Sequence, residues 1–234
     1  MNERSFMSRI LDSERRRAIE DAALKLFSSR GFHGVGLRDL ATEAEVSLGN
    51  IYNYFPSKEP IFAALVDRLY ADFASSTEPL AEFLRSGRFP DDLLELGRVM
   101  SEMVNRHRSY LTLVYVDIAE LGGKHVRPHY AALAARFRTA LGTDAARALP
   151  GWADPGVVFA IIYMQFSSYF VIERLVGAKG HLGLPEDQAI AMIAQLFMLG
   201  LAPRKATHVP KTPAAAVPRA RRRVLRRVGA RHRR

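Results

Sequence analysis

Hydrophobic positions along the first third of the chain recur at helical spacing. Ile19, Ala22, Ala23, Leu26 and Phe27 follow the i, i+3, i+4, i+7, i+8 pattern of one buried face, so the spacing predicts a helix from a Ser13 cap to about Arg30, stopped by Gly31. Residues 1–11 show no such pattern and are expected to be unstructured. Leu37, Leu40, Ala41 and Ala44 give a second, shorter apolar face. Glu45-Val46-Ser47 interrupts it, and Ser47 is a good N-cap for a third helix from Leu48 to Phe55. In that third helix Ile51 and Phe55 share one side, leaving Leu48, Gly49, Asn50, Asn53 and the edge of Tyr54 on the other. Two short helices joined by a tight turn, the second with small, amide and phenolic groups facing out, form a helix-turn-helix suited to the major groove.

The pattern continues as helix after helix, with no strand signal. A helix runs from Lys58 through about Ser75, and Glu78-Pro79 and residues 86–90 read as turns. Further helices are expected over 91–107 and 109–121, the latter stopped by Gly122-Gly123, and from Pro128 toward Leu149. The stretch 156–176 is the most apolar, with sixteen consecutive uncharged residues in VVFAIIYMQFSSYFVI. It falls short of the roughly 20 apolar residues of a membrane span, and polar side chains dilute it, so a helix buried on two sides is expected. A last helix, opened by Pro185 and Glu186 and running through Leu199, is apolar on most faces. Two such helices carry more apolar surface than one chain's core can cover, which calls for a partner surface.

At 234 residues, 48% hydrophobic and 25% charged, the chain suits a globular protein with a substantial core. The absence of cysteine excludes disulfides and thiolate chemistry and fits a reducing compartment. No apolar run precedes Ser13, so no signal peptide is expected and a cytoplasmic location is. The net charge of +10 resides in one place: residues 203–234 hold twelve Lys or Arg and no acid. The remainder has 22 basic and 24 acidic side chains, and residues 1–60 have nine of each. Positive charge near the third helix must therefore be local: Arg38, Lys58, and Arg15 to Arg17. The Pro-, Ala- and Arg-rich tail cannot bury enough surface to fold alone. It could hold phosphates, meet acidic lipid headgroups or simply stay solvated.

The run from Ile19 through Leu65 resembles the DNA-binding domain of TetR-family transcriptional regulators. The shared elements are Leu26-Phe27, Gly31-Phe32, Arg38-Asp39-Leu40-Ala41, Val46-Ser47, Ile51-Tyr52-Asn53-Tyr54-Phe55 and Ser57-Lys58-Glu59. Three positions depart from the pattern. Glu45 stands where the family usually has Gly, Gly36 replaces a capping Ser or Thr, and Pro60 lies in the first turn of the next helix. The resemblance implies an all-α protein: a three-helix DNA-binding domain over 12–57, a helical ligand-binding and dimerisation domain over 58–202, and the basic tail beyond. It further implies a homodimer on double-stranded DNA. By motif position Leu48, Asn50 and Asn53 are the base-edge candidates, Tyr52 and Lys58 phosphate clamps, and Arg38 either. Ser47, Gly49 and Tyr54 complete the expected DNA-facing set.

The resemblance also implies a small-molecule effector held inside the C-terminal helices. Candidate lining residues are Met100, Met103, Tyr110 and Tyr115, followed by Phe137, Tyr163, Phe166 and Tyr169. His125 and His129 are four apart but flank Pro128 and have no third ligand, so no metal is expected, nor any cofactor. Asp117 and Glu120 on a mostly apolar helix suit either a capped helix end or ligand recognition. With neither a glycine-rich phosphate loop nor a nucleophile elbow, an enzyme is not expected. The favoured reading is a transcriptional repressor released from a palindromic operator by its ligand. The alternatives are a nucleoid-type DNA-binding protein relying on the tail, and an enzyme on a helical scaffold.

Overall fold

The computed structural model describes residues 3–74 and 78–201, and the basic segment 203–234, expected to be disordered, lies outside them. Among the described residues there are twelve α-helices and no strand. The first four are α1 (Glu3–Arg30), α2 (Leu37–Glu43), α3 (Leu48–Tyr54) and α4 (Lys58–Ala74). Then follow α5 (Pro79–Arg85), α6 (Leu93–Arg106), α7 (Arg108–Glu120), α8 (Arg127–Ala131), α9 (Leu133–Leu141) and α10 (Asp144–Ala148). The last two are α11 (Pro155–Val171), extended by a π-helical turn over Ile172–Val176, and α12 (Glu186–Leu201).

Three boundaries differ from the sequence expectation, each for a local reason. Helix α1 begins at Glu3, so Ser13 lies inside it and not at its N-terminus. The stretch ERSFMSRILD contains no Gly or Pro to stop a helix from propagating toward the N-terminus. The turn read at Glu78-Pro79 is the start of α5, with Pro at its first position, where a missing N–H costs nothing. The single helix expected from Pro128 to Leu149 is three pieces, the second closed by Gly142 at φ +69°. Elsewhere caps match the chemistry: Asp92 accepts from the Glu95 N–H and Asp154 from the Val157 N–H.

Two apolar clusters organise the chain. The first is built from α1 to α4 and joined by Leu113, Val114 and Val126. Its aromatic centre is Phe27, Phe32 and Phe62, with ring centroids 5.4–5.6 Å apart. The second is built from α5, α6, α9, α11 and α12 around Phe83, Phe159 and Phe166. Helix α11 packs closely on α9: a Cβ at Gly156 would stand 2.2 Å from the Ala134 carbonyl oxygen, so only glycine fits there. The segment Pro155–Val176 is 22 residues long, and it is the one helix among the described residues long and apolar enough to cross a membrane. At 22 residues the helix is not too short to span a bilayer, contrary to the sequence expectation. Half of its most apolar stretch is buried inside the protein, as in a core helix.

Candidate DNA interface and effector cavity

The candidate DNA interface is built on α3. Ser47 caps it, its Oγ accepting from the Asn50 N–H at 3.1 Å. Ile51 and Phe55 are buried, pinning one face against α1 and α2. On the opposite face Gly49, Tyr52 and Asn53 are exposed, Tyr52 at 55%, while Leu48 and Asn50 are half-buried. Arg38 is exposed on α2. Glu45 in the turn has φ +55°, the left-handed region the family's glycine would occupy without strain. Gly36 offers no side-chain cap to α2, but its own N–H donates to Asp39 Oδ2 at 2.7 Å.

Two expected DNA contacts are already engaged within the protein. The Tyr54 hydroxyl donates to Asp12 Oδ1 of α1 at 3.0 Å, so its edge turns toward α1 and not outward. Partial burial and that carboxylate raise its pKa. The Lys58 ammonium donates to the Phe32 and Val35 carbonyls at 2.7 and 2.9 Å and lies 4.4 Å above the Phe32 ring. Two of its three N–H groups thus hold the turn between α1 and α2, leaving one for any anion. Of the N-terminal arginines, Arg15 pairs with Asp12, and Arg16 pairs with Glu20 while covering the Phe55 ring.

The end of α7 buttresses this region through residues whose role the sequence left open. Asp117, fully buried, accepts from the His125 and Val126 N–H groups at 3.0 Å and from the His125 ring at 2.7 Å. It ties down the loop after α7, capping it as one of the two sequence readings held. That loop carries Lys124 onto Glu59, whose carboxyl is held below its ordinary pKa by the ammonium, and sets His125 against Phe62. Glu120 accepts from the His33 N–H at 2.7 Å. Gly31, at φ +75°, lies so close to Glu120 that a Cβ would be 2.2 Å from its Oε1. His125 and His129 have separate partners, His129 stacking on Tyr70 at 3.7 Å, and no metal-binding cluster exists among the described residues.

A cavity of about 770 Å³ opens among α4, α5, α9 and α11. Of the eight expected lining residues, Phe137 and Tyr163 face it. Met100, Met103, Phe166 and Tyr169 are instead packed in the second cluster, 3% exposed or less. Tyr110 lies beneath Arg68, 5.9 Å from its guanidinium, and Tyr115 is exposed. The correction has a simple origin: aromatic and Met side chains at helical spacing look alike whether the neighbour is a helix or a void. The cavity wall the sequence missed includes Tyr70, Phe73, Leu80 and Leu84, with Arg85 and Arg136. Burial raises the Tyr70 and Tyr163 phenols above their ordinary pKa.

A helix-turn-helix displayed at one end of an all-α chain, with a cavity open among the helices behind it, defines the class by fold: a helical protein carrying a DNA-reading motif. Residues 19–65 match the family of bacterial regulatory proteins, tetR family. The chain is 27% identical over 100 residues to the probable HTH-type transcriptional regulator YttP of Bacillus subtilis, covering 43% of this chain and 48% of YttP. It is 44% identical over 57 residues to the HTH-type transcriptional regulator RutR of Escherichia coli, covering 24% and 27%. The fold is that of a TetR-family regulator from Syntrophomonas wolfei, with a TM-score of 0.59 at 17% identity over 82% of this chain and 96% of that one. The match is confined to the N-terminal helices: residues 19–65 carry the DNA-binding domain of the tetR family. The chain spans about half or less of the length of these curated relatives.

Proposed function

We propose that this protein is a homodimeric transcriptional repressor that leaves a palindromic operator when a small molecule enters the cavity. Residues 12–57 would bind DNA, residues 58–202 would sense and dimerise, and the segment 203–234 would add salt-sensitive affinity for phosphates. The observation that carries the reading is the exposed face of α3: Gly49, Tyr52 and Asn53 stand free while Ile51 and Phe55 fix the helix from behind. Asn50 and Asn53 suit base edges, where an amide can pair bidentately, and the Tyr52 hydroxyl suits a phosphate.

Dimerisation is supported by two apolar stripes. On α11 Val157, Ile161 and Met164 are 43–48% exposed, and on α12 Met192, Leu196 and Leu199 are 50–64% exposed. Each set recurs at helical spacing, so each forms one continuous face, and the two helices touch. Two-fold pairing through these faces would set two copies of α3 about one helical turn of DNA apart.

The experiment that tests the reading is selection of preferred sequences from a random pool, run on the full chain and on a chain lacking 203–234. Both are expected to recover the same inverted repeat, with the shortened chain losing affinity and showing a shallower salt dependence. Loss of sequence preference on removing the basic segment would instead favour a nucleoid-type protein.

A further inference from the structure

The cavity's lining is asymmetric in charge. It contains two guanidinium groups, Arg85 and Arg136, and no acidic side chain. Its other potentially polar groups are the phenols of Tyr70 and Tyr163 and the hydroxyl of Thr139, which is donated to the Ala135 carbonyl at 3.1 Å. The rest of the wall is apolar.

Several arginines of the chain meet a carboxylate, and among the described residues Arg136 does not. Arg138, two residues further along α9, is bound to Asp154 at 2.8 Å, and Arg68, Arg106 and Arg174 each meet a carboxylate. Arg136 instead donates to Nδ1 of His129 at 3.3 Å, a neutral acceptor. Burial, and then that guanidinium, hold the His129 ring below its ordinary pKa against the opposite pull of Asp67, whose Oδ1 lies 3.5 Å from its Nε2. No carboxylate lies within ion-pair distance of Arg136 among the described residues.

An apolar cavity with a guanidinium at its wall that has no direct carboxylate partner favours one sign of charge. A carboxylate presents two oxygens to the fork of the guanidinium and gains charge-assisted hydrogen bonds, whereas a hydroxyl gains one neutral bond and an ammonium is repelled. We infer that the effector is an organic carboxylate: an aliphatic or aromatic body in the cavity, with its carboxylate on Arg136. This rests on the cavity being the effector site. The same contact links the ligand to the DNA-binding end. His129 lies flat against Tyr70 of α4, at 3.7 Å and an interplanar angle of 8°, and α4 starts at Lys58 beside α3. A carboxylate drawing Arg136 away removes the donor from His129 and disturbs the ring that rests on α4.

The test uses three ten-carbon probes of equal body: decanoate, decanol and decylamine, each titrated calorimetrically into the full chain and into Arg136→Gln. Decanoate should bind at least about tenfold more tightly than decanol, with decylamine weakest, since a charge-assisted contact exceeds a neutral one by that order. Arg136→Gln should weaken decanoate about tenfold and leave decanol within about twofold; Arg136→Lys, keeping charge without the fork, should fall between. Because Arg136 is exposed, the variants should keep their thermal unfolding midpoints. Equal binding of decanoate and decanol, no binding of decanoate, or indifference of decanoate to the variants would overturn the inference. Operator affinity measured with each probe separates the two claims. Release of DNA by decanol as readily as by decanoate would leave the effector cavity standing and remove the carboxylate. Charge-selective binding that leaves operator affinity unchanged would do the reverse.

Discussion

Replacing Leu196 by glutamate is expected to convert the protein to monomers and to abolish tight operator binding while leaving each monomer folded. Leu196 is 64% exposed in the single chain, in the middle of the α12 stripe, so the fold itself loses little. In the proposed dimer the side chain is covered, and returning it to water forfeits about 2 kcal/mol. Symmetry counts the loss twice, which raises the dissociation constant about a thousandfold. Glutamate adds the cost of burying two carboxylates near the two-fold axis. A monomer holds only one half-site and loses the gain from tethering the second reader, so operator affinity should fall by at least about a hundredfold. Sedimentation velocity across a concentration series, with circular dichroism as the folding check, decides it. A variant that remains dimeric at nanomolar concentration would place the interface elsewhere.

The second large effect is on stability. Asp117→Ala should destabilise the protein by about 3 kcal/mol, with Asp117→Asn costing less because one acceptor oxygen remains. The carboxylate is fully buried and satisfies two backbone N–H groups and the His125 ring, so its removal strands donors that water reaches poorly. Denaturant unfolding measures the loss, and hydrogen exchange locates it. The amides of His125 and Val126 should lose protection first, followed by the first turns of α4, because the loop carries Lys124 to Glu59. A loss below about 1 kcal/mol would mean the loop is held by something other than this carboxylate.

What could be read in the sequence, and what could not, divides along the range of the interactions. The start of α3 was legible because its determinant, Ser47, lies three residues from the N–H it caps. The left-handed turn at Glu45 could be anticipated because the family places glycine there. The surplus apolar faces of α11 and α12 were legible from periodicity alone, since Met192, Leu196 and Leu199 need no neighbour to be recognised as one stripe.

The misses depend on which distant segment a side chain meets. Whether Met100 or Tyr163 lines a void is decided by how α5 and α9 are set against α11, and α5 itself was missed where Pro79 could have been read as a helix start. Lys58 reads from the sequence as a phosphate clamp because nothing near it in sequence shows the Phe32 and Val35 carbonyls that hold its ammonium. The pairing of Glu120 with His33 spans 87 residues and has no local signature. The double demand on Gly31, a left-handed backbone and a carboxylate against its Cα, is likewise half local and half not.

The central claim is that α3 divides its work, amides reading bases and a phenol holding the backbone. Binding to every single-base variant of the selected inverted repeat, measured for the native chain, Asn50→Ala and Tyr52→Phe, tests it most directly. Asn50→Ala should flatten discrimination at one base pair in each half-site, worth about 1–3 kcal/mol there, with the other positions unchanged. Tyr52→Phe should weaken every sequence by the same factor. A uniform loss from both substitutions, or native discrimination in both, would contradict the account.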